Sequence, residues 1–519
     1  MCYFCIQIFG ENMKGISFIL TVAVVLLLAS CTSTDEKLRA MIPGDALGVV
    51  KINLPSVLIK AGIMKSDDKD ASLSIPAELK QVIDQANENL VDDVNIFGDV
   101  VANLPTSGID VNSNCYFFIT QGTFSAVALF ALADDGLAVD MVNKIAGGKM
   151  REMSGVMFAS HLDYVYAIDD DVLLIARKIN ATDDKASADA KRIFDVSGAG
   201  MLDNKDVSRA IDKENSDITA YIDAKGLPVL FENSHVTTMI GDFSPMDLLA
   251  ESGIKAMTAT VNFNDSKKGE ESVEIVTDFV CSPTSVYSLF YDKVIATASS
   301  GSDTEVLEAV PGDFDTYFAI KVNGEELMKM PGVSGLLDNL NLAINCAGIV
   351  SSFNGDVVCG LEETDEKDYN FGISVQSTSP DVVVKEIVGF ALQQGQAPVF
   401  NANGEYQYDT RGGNKALVMS KTNNVVYLRY VNYVPNSSAA EWLPLVSTMK
   451  SSTMTLFKLV KVAYKHEGNL CWGLRDKTHG EGFYYTLDEN ENIVISALKF
   501  LCWKEPGDIG NEDDDYMDF

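Results

Sequence analysis

Apolar positions along this chain follow two rhythms, a helical period and short strand-like runs, and the order of the runs recurs. Asp135 to Gly148 sets Ala138, Met141, Val142 and Ile145 on one helical face, and Pro380 to Gly395 does the same with Val383, Ile387, Phe390 and Ala391. Strand patterns follow the first helix at Val156-Met157-Phe158, Tyr164 to Ile168 and Val172 to Ala176, with a turn at Asp169-Asp170-Asp171. Ala416 to Ser420 and Val425 to Tyr430 follow the second, turning at Asn423-Asn424. Asp and Asn suit such turns because they bond locally and tolerate left-handed backbone.

Upstream parts recur in the same order. Pro43-Gly44-Asp45 leads into the strand Gly48 to Ile52 and the helix Leu54 to Ala61; Pro311-Gly312-Asp313 leads into Tyr317 to Ile320 and the helix Glu325 to Met330. Two strand-rich stretches alternate with these units. The first holds Asp217 to Asp223, Ala256 to Phe263 and Ser272 to Cys281; the second holds Thr453 to Tyr464, Leu470 to Leu474, Gly482 to Leu487 and Ile493 to Trp503. Pro76 to Leu90 adds an amphipathic helix through Leu79, Val82, Ile83, Ala86 and Leu90. Hairpin strands interrupted by helices place the chain in the α+β class, as duplicated modules of antiparallel sheet with packed amphipathic helices. The expected layout is a repeat module at 41–180, a strand-rich module at 181–304, their counterparts at 305–435 and 436–504, and an acidic disordered tail at 505–519.

The N-terminus gives an address. Ile16 to Leu28 is an unbroken run dominated by Ile, Leu and Val. As a helix it would span roughly 20 Å against a bilayer core of about 30 Å, which suits a secretory signal better than a membrane span. Leu28-Ala29-Ser30-Cys31 follows at once and resembles the lipobox of bacterial lipoproteins. That resemblance implies diacylglycerol on the Cys31 thiol, cleavage just before it, a signal peptide over 1–30 and a short tether over 31–40. A buried N-terminal helix with a chance cysteine is the alternative. Positive charge belongs ahead of the apolar run, and Met13-Lys14-Gly15 supplies it where residues 1–12 carry only Glu11, so Met13 is the expected initiator.

Charge narrows the partners. The formal net charge of −34 would repel nucleic acid and anionic headgroups, so no nucleic-acid role is expected. Acidity that keeps an envelope protein soluble accounts for it more simply than dedicated cation binding. With 47% hydrophobic and 22% charged residues the chain is ordinary for a globular protein.

Candidate chemistry is sparse. Downstream of Cys31 there is no Cys-x-x-Cys, no His-Glu-x-x-His and no Gly-x-Ser-x-Gly. Gly147-Gly148-Lys149 is a helix stop, lacking the spacing of a phosphate loop. Asp488-x-Asn490-x-Asn492 imitates a calcium loop, but Ile493 and Lys499 stand where Gly and Glu are needed, leaving a hairpin turn. Asp169-Asp170-Asp171 can hold a cation or simply be a solvated turn. Among His161, His235, His466 and His479, the last two flank the Cys471 strand, where surface hairpin histidines are the plainer reading than a metal site. No cofactor and no metal are expected. Cys471-Trp472 and Cys502-Trp503 repeat a dipeptide on two apparent strands, so a Cys471–Cys502 bridge and two buried thiols both stay open.

Aromatics cluster late: Trp442, Trp472 and Trp503, with Tyr484 and Tyr485, make candidate ligand contacts, for stacking on sugar faces or for core packing. Leu38-Arg39-Ala40-Met41-Ile42-Pro43-Gly44-Asp45-Ala46, the Val-Val-Lys-Ile strand after it, and the Gly108-Ile109-Asp110 turn before Tyr116-Phe117-Phe118 complete a combination that resembles a family of Bacteroidetes lipoproteins built on a domain of unknown function. The family carries no assigned activity and lends no catalytic residues. Asp35-Glu36 loosely resembles the acidic signal that directs some lipoproteins to the cell surface, leaving surface and periplasmic orientation both open. The expectation is a non-enzymatic, lipid-anchored envelope protein, probably of the outer membrane, that contacts the membrane through its lipid and binds an envelope protein. Outer-surface glycan binding is the alternative, and an enzyme with a dispersed site the next.

Overall fold

The computed structural model describes residues 32–65, 73–81, 104–195, 200–213, 215–226, 252–264, 272–299, 306, 314, 316–339, 344–363, 369–400, 404–409, 416–431, 452–461, 467–486 and 492–502. They belong to two compact units, and the chain passes between them more than once. One takes residues up to 246 with 256–274 and 488 onward; the other takes 247–255 and 275–487.

The N-terminal unit contains α1 (Thr32–Ala40), β1 (Gly48–Ile52), α2 (Leu54–Lys60), β2 (Cys115–Ile119), β3 (Phe124–Ala131), α3 (Asp135–Ile145) and β4 (Arg151–Met153). It continues with β5 (Val156–His161), β6 (Tyr164–Asp169), β7 (Val172–Lys178), α4 (Asp183–Phe194), α5 (Lys205–Ile211), β8 (Ile218–Asp223) and β9 (Ile254–Asn264). Its antiparallel sheet runs β9-β8-β1-β2-β3-β7-β6-β5-β4. Leu38 of α1, Ala186, Ala190 and Ile193 of α4, and Val207 and Ile211 of α5 share a core with Tyr116, Phe118, Leu129, Phe158 and Val165 of the sheet.

Local chemistry explains where these elements start and stop. The Asp134 carboxylate caps α3 by accepting from Leu137 N; the expected face of Ala138, Met141, Val142 and Ile145 is buried; Gly147 at φ +63° ends the helix. Asp170 at φ +50° turns β6 into β7. Asn53 caps α2 through Ser56 N.

The C-terminal unit holds β10 (Ser272–Cys281), α6 (Val286–Phe290) running into a π turn at Tyr291–Ile295, β11 (Thr316–Asn323), α7 (Gly324–Met328), α8 (Val333–Asn339) and α9 (Cys346–Ser351). After these come β12 (Phe353–Glu363), β13 (Tyr369–Ser377), α10 (Pro380–Gln393), β14 (Val399–Phe400), β15 (Tyr406–Asp409), β16 (Ala416–Thr422), β17 (Val425–Val431), β18 (Met454–Lys461), β19 (Glu467–Leu474) and β20 (His479–Thr486). Its antiparallel order is β14-β15-β16-β17-β13-β12-β11-β18-β19-β20-β10. Helices lying against antiparallel sheet make the protein α+β, as its pattern predicts.

Three expectations are corrected. Residues 493–503 read as a strand because Ile493-Val494-Ile495 is β-branched, yet Ile493–Cys502 is a helix, α11. Asn492 caps it, accepting from Val494 N at 3.0 Å and Ile495 N at 3.3 Å, so it opens a helix where a hairpin turn was expected. Ile493, Val494, Ile495, Ser496, Ala497 and Leu498 are all buried, and an apolar run buried on every side has no period to separate helix from strand. The tether expected at 31–40 is the helix α1. Cys502, ending α11, has no strand from which to face Cys471, so the cross-strand geometry that suggested a bridge is absent. Residues 77–81 are helical as expected; the rest of the Pro76 to Leu90 expectation, Pro311 to Asp313, Asp488 to Asn490 and the acidic tail lie outside the described residues.

Candidate functional site

Two places gather more polar side chains than packing alone requires: the mounting of α1, and the tip of the β19–β20 hairpin.

Cys31 lies outside the described residues, but α1 starts at the next position. Leu38 is fully buried. Asp35 Oδ1 accepts from Asn114 Nδ2 and from the Tyr116 hydroxyl, both at 2.8 Å, which ties the first turn of α1 to β2. Burial, and then the Asp35 charge, push the Tyr116 hydroxyl well above its ordinary range. Arg39 meets Asp212 through two hydrogen bonds, its Nη2 donating to Oδ2 at 2.9 Å, and that bond holds the Asp212 carboxyl below the usual range. Lys37 pairs with Asp171. Asp35, expected as part of a sorting signal, is thus a structural acceptor, and the Asp169-Asp170-Asp171 turn spends its charge on Lys37 and Lys191.

The hairpin tip carries the second cluster. His479 Nδ1 lies 2.8 Å from Asp278 Oδ1 on β10, and its Nε2 lies 3.2 Å from Glu481 Oε1 on its own strand. Arg475 Nε donates to Glu481 Oε2 at 2.8 Å, and Nη1 to Ser452 Oγ at 3.1 Å. Lys477 reaches both oxygens of Asp292, at 3.1 and 2.9 Å, while its backbone carbonyl accepts from the Tyr287 hydroxyl at 2.7 Å. Strand alternation puts His479 and Glu481 on one face, a signal present in the sequence. Asp278, about two hundred positions away, left none.

Each imidazole nitrogen addresses a different carboxylate, so the three groups do not converge on a shared point. Among the described residues no group of three or more His, Cys, Asp or Glu is placed to hold a metal ion. The hydrogen bond to Asp278 leads in raising the His479 pKa above its ordinary 6.5, with Glu481 adding to it. Only the protonated ring donates at both nitrogens. The stabilisation is therefore complete below pH 6.5 and is lost as pH rises through the raised value. We expect His479→Gln to cost below about 1 kcal/mol at pH 6, in keeping with partly exposed pairs. Thermal unfolding of both proteins across pH 6 to 9 should show the difference shrinking at higher pH; a constant difference would contradict the latch.

The expected aromatic platform is not present among the described residues. Trp472 donates its Nε1–H to Thr277 Oγ1 at 3.1 Å and packs edge-to-face on Phe279 at 6.4 Å. A Cβ at Gly480 would come within 2.5 Å of the indole, so the ring is held tightly against that strand. Tyr484 is buried, while Tyr485 is half-buried and stacked on Phe483 at 5.8 Å. Trp442, Trp503 and His466 lie outside the described residues, as does the side chain of Cys502; Cys471 is buried on β19. No helix among the described residues is long and apolar enough to cross a membrane.

No protein-family model matches the chain. No curated protein matches it either. Six chains of solved structures do. Crystal forms III and IV of TP0453 superpose with TM-scores of 0.29 and 0.28 at 7% and 8% identity. Form III covers 49% of this chain and 84% of its own, form IV 46% and 79%. A likeness this low supports no conclusion about fold or function.

Proposed function

We propose that this protein is a cell-envelope lipoprotein, anchored through Cys31 to the outer membrane, that serves as a non-enzymatic binding or scaffold protein. One observation carries the reading: ordered, core-packed structure starts at the residue after the lipobox cysteine. A mature chain beginning at Cys31 would lose nothing that α1 needs. With no slack between lipid and fold, the N-terminal unit would sit directly at the bilayer surface. The hairpin-tip chemistry fits a non-catalytic role, since both nitrogens of His479 face carboxylates instead of a hydroxyl or thiol that a base could activate.

The scaffold itself reads as a duplication in the order A, B, A′, B′. The pairing β1-β2-β3-β7-β6-β5-β4, with α3 inserted after β3, has a counterpart in β11-β12-β13-β17-β16-β15-β14, with α10 inserted after β13. β1 and β11 each pair on their other edge with the first strand of the following module, β8 and β18. Asn53 and Asn323 cap the helices after those strands, and Asp170 and Asn423 take left-handed backbone at matching turns.

Crosslinking in intact cells tests the binding role. A discrete, saturable adduct with an envelope component is expected, and no adduct above that of an unrelated lipid-anchored control would overturn it. The glycan alternative loses support from the inward packing of Trp472.

A further inference from the structure

The outermost strand of the C-terminal sheet is apolar, exposed and open. Val399 is 67% and Phe400 64% exposed on β14, and Leu392, near the end of α10, is 53% exposed. β14 pairs with β15, Val399 opposite Gln407 and Phe400 opposite Tyr406, and among the described residues with no strand on its other side. Phe400 rests edge-to-face on Tyr406 at 5.3 Å, which fixes the ring without covering it.

Edge strands normally carry charges that discourage pairing with other chains. β4, at the corresponding end of the N-terminal sheet, follows that rule with exposed Arg151 and Glu152, and Arg151 lies 3.4 Å from Asp183. β14 breaks it. Residues 387–404 contain no Asp, Glu, Lys, Arg or His, in a chain where 22% of residues are charged. Two chains of net charge −34 repel each other over most of their surfaces, and this uncharged stretch is where they can approach without that cost.

We propose that β14 is a docking edge for a second copy of this chain, the two strands pairing antiparallel about a two-fold axis. The occupant must be apolar, free of charge and able to present open backbone N–H and C=O groups. The same edge on another copy meets all three conditions, as an isologous contact requires. Pairing would extend the sheet from one copy into the next and cover Val399 and Phe400. The exposure and the open edge stand without the lipid anchor or the duplication; only the contrast with β4 draws on the latter.

Sedimentation of the mature chain carrying Cys31→Ser, without detergent, tests this from about 1 to about 100 μM, the range in which a small interface dissociates. A monomer–dimer equilibrium is expected, shifted to monomer by the pair Val399→Arg and Phe400→Glu, which restores the kind of charges seen on β4. Both side chains are exposed, so thermal unfolding should be unchanged and a folding defect is distinguishable. A wild-type chain that stays monomeric throughout overturns the proposal, as does a dimer indifferent to the two substitutions. Capture of a foreign strand by a monomeric wild type also overturns it.

Discussion

Asp217→Ala is expected to lower the unfolding free energy by about 3 kcal/mol, the usual scale for stripping one partner from a buried ion pair. The Asp217 side chain is fully buried. Its Oδ1 accepts from Ser56 Oγ at 2.5 Å and Lys60 Nζ at 2.9 Å; its Oδ2 accepts from Lys60 Nζ at 2.7 Å and Phe263 N at 2.6 Å. Its backbone carbonyl accepts from Asn53 N at 2.8 Å. One carboxylate thus joins α2 to β9 at the start of β8. Alanine leaves the Phe263 N–H buried without an acceptor and the Lys60 ammonium without a counter-charge, although Lys60 is 26% exposed and regains some water. Lys60→Met should be comparably harmful, because it strands the carboxylate instead. Urea unfolding of the three proteins measures this, and a loss under about 0.5 kcal/mol for Asp217→Ala would mean the pair is dispensable.

None of that network was visible in the sequence, where Lys60 and Asp217 stand far apart and neither belongs to a motif. What the sequence did reveal was periodic or local. The α3 face matched because four apolar positions at helical offsets leave one way to bury them. The β6–β7 and β16–β17 turns matched because Asp170 and Asn423 are residue types that accept positive φ. α11 was missed because its apolar run lacks a period, and α1 because its nine residues are mostly polar and held by partners distant in sequence. The hairpin-tip cluster was half legible: His479 stood out, while Asp278 and Arg475 are recruited by strand pairing. The aromatic expectation erred for a general reason, since a tryptophan count carries no information about which rings face solvent.

Cys31→Ala is expected to move the protein almost wholly from the membrane to the soluble fraction. A lipoprotein N-terminus carries several acyl chains, each buried methylene worth about 0.8 kcal/mol, and no single apolar contact on the folded surface approaches that sum. Residues 33 to 37 offset nothing, since Asp35, Glu36 and Lys37 would not enter a hydrocarbon phase. The same substitution should leave unfolding unchanged, because the core contacts begin within α1.

Mass spectrometry of the N-terminal tryptic peptide, Cys31 to Lys37, tests the anchor most directly. The account predicts a peptide starting at Cys31 and bearing a diacylglyceryl thioether. A peptide that continues upstream through Ser30, or one that starts at Cys31 with a bare thiol, would contradict it.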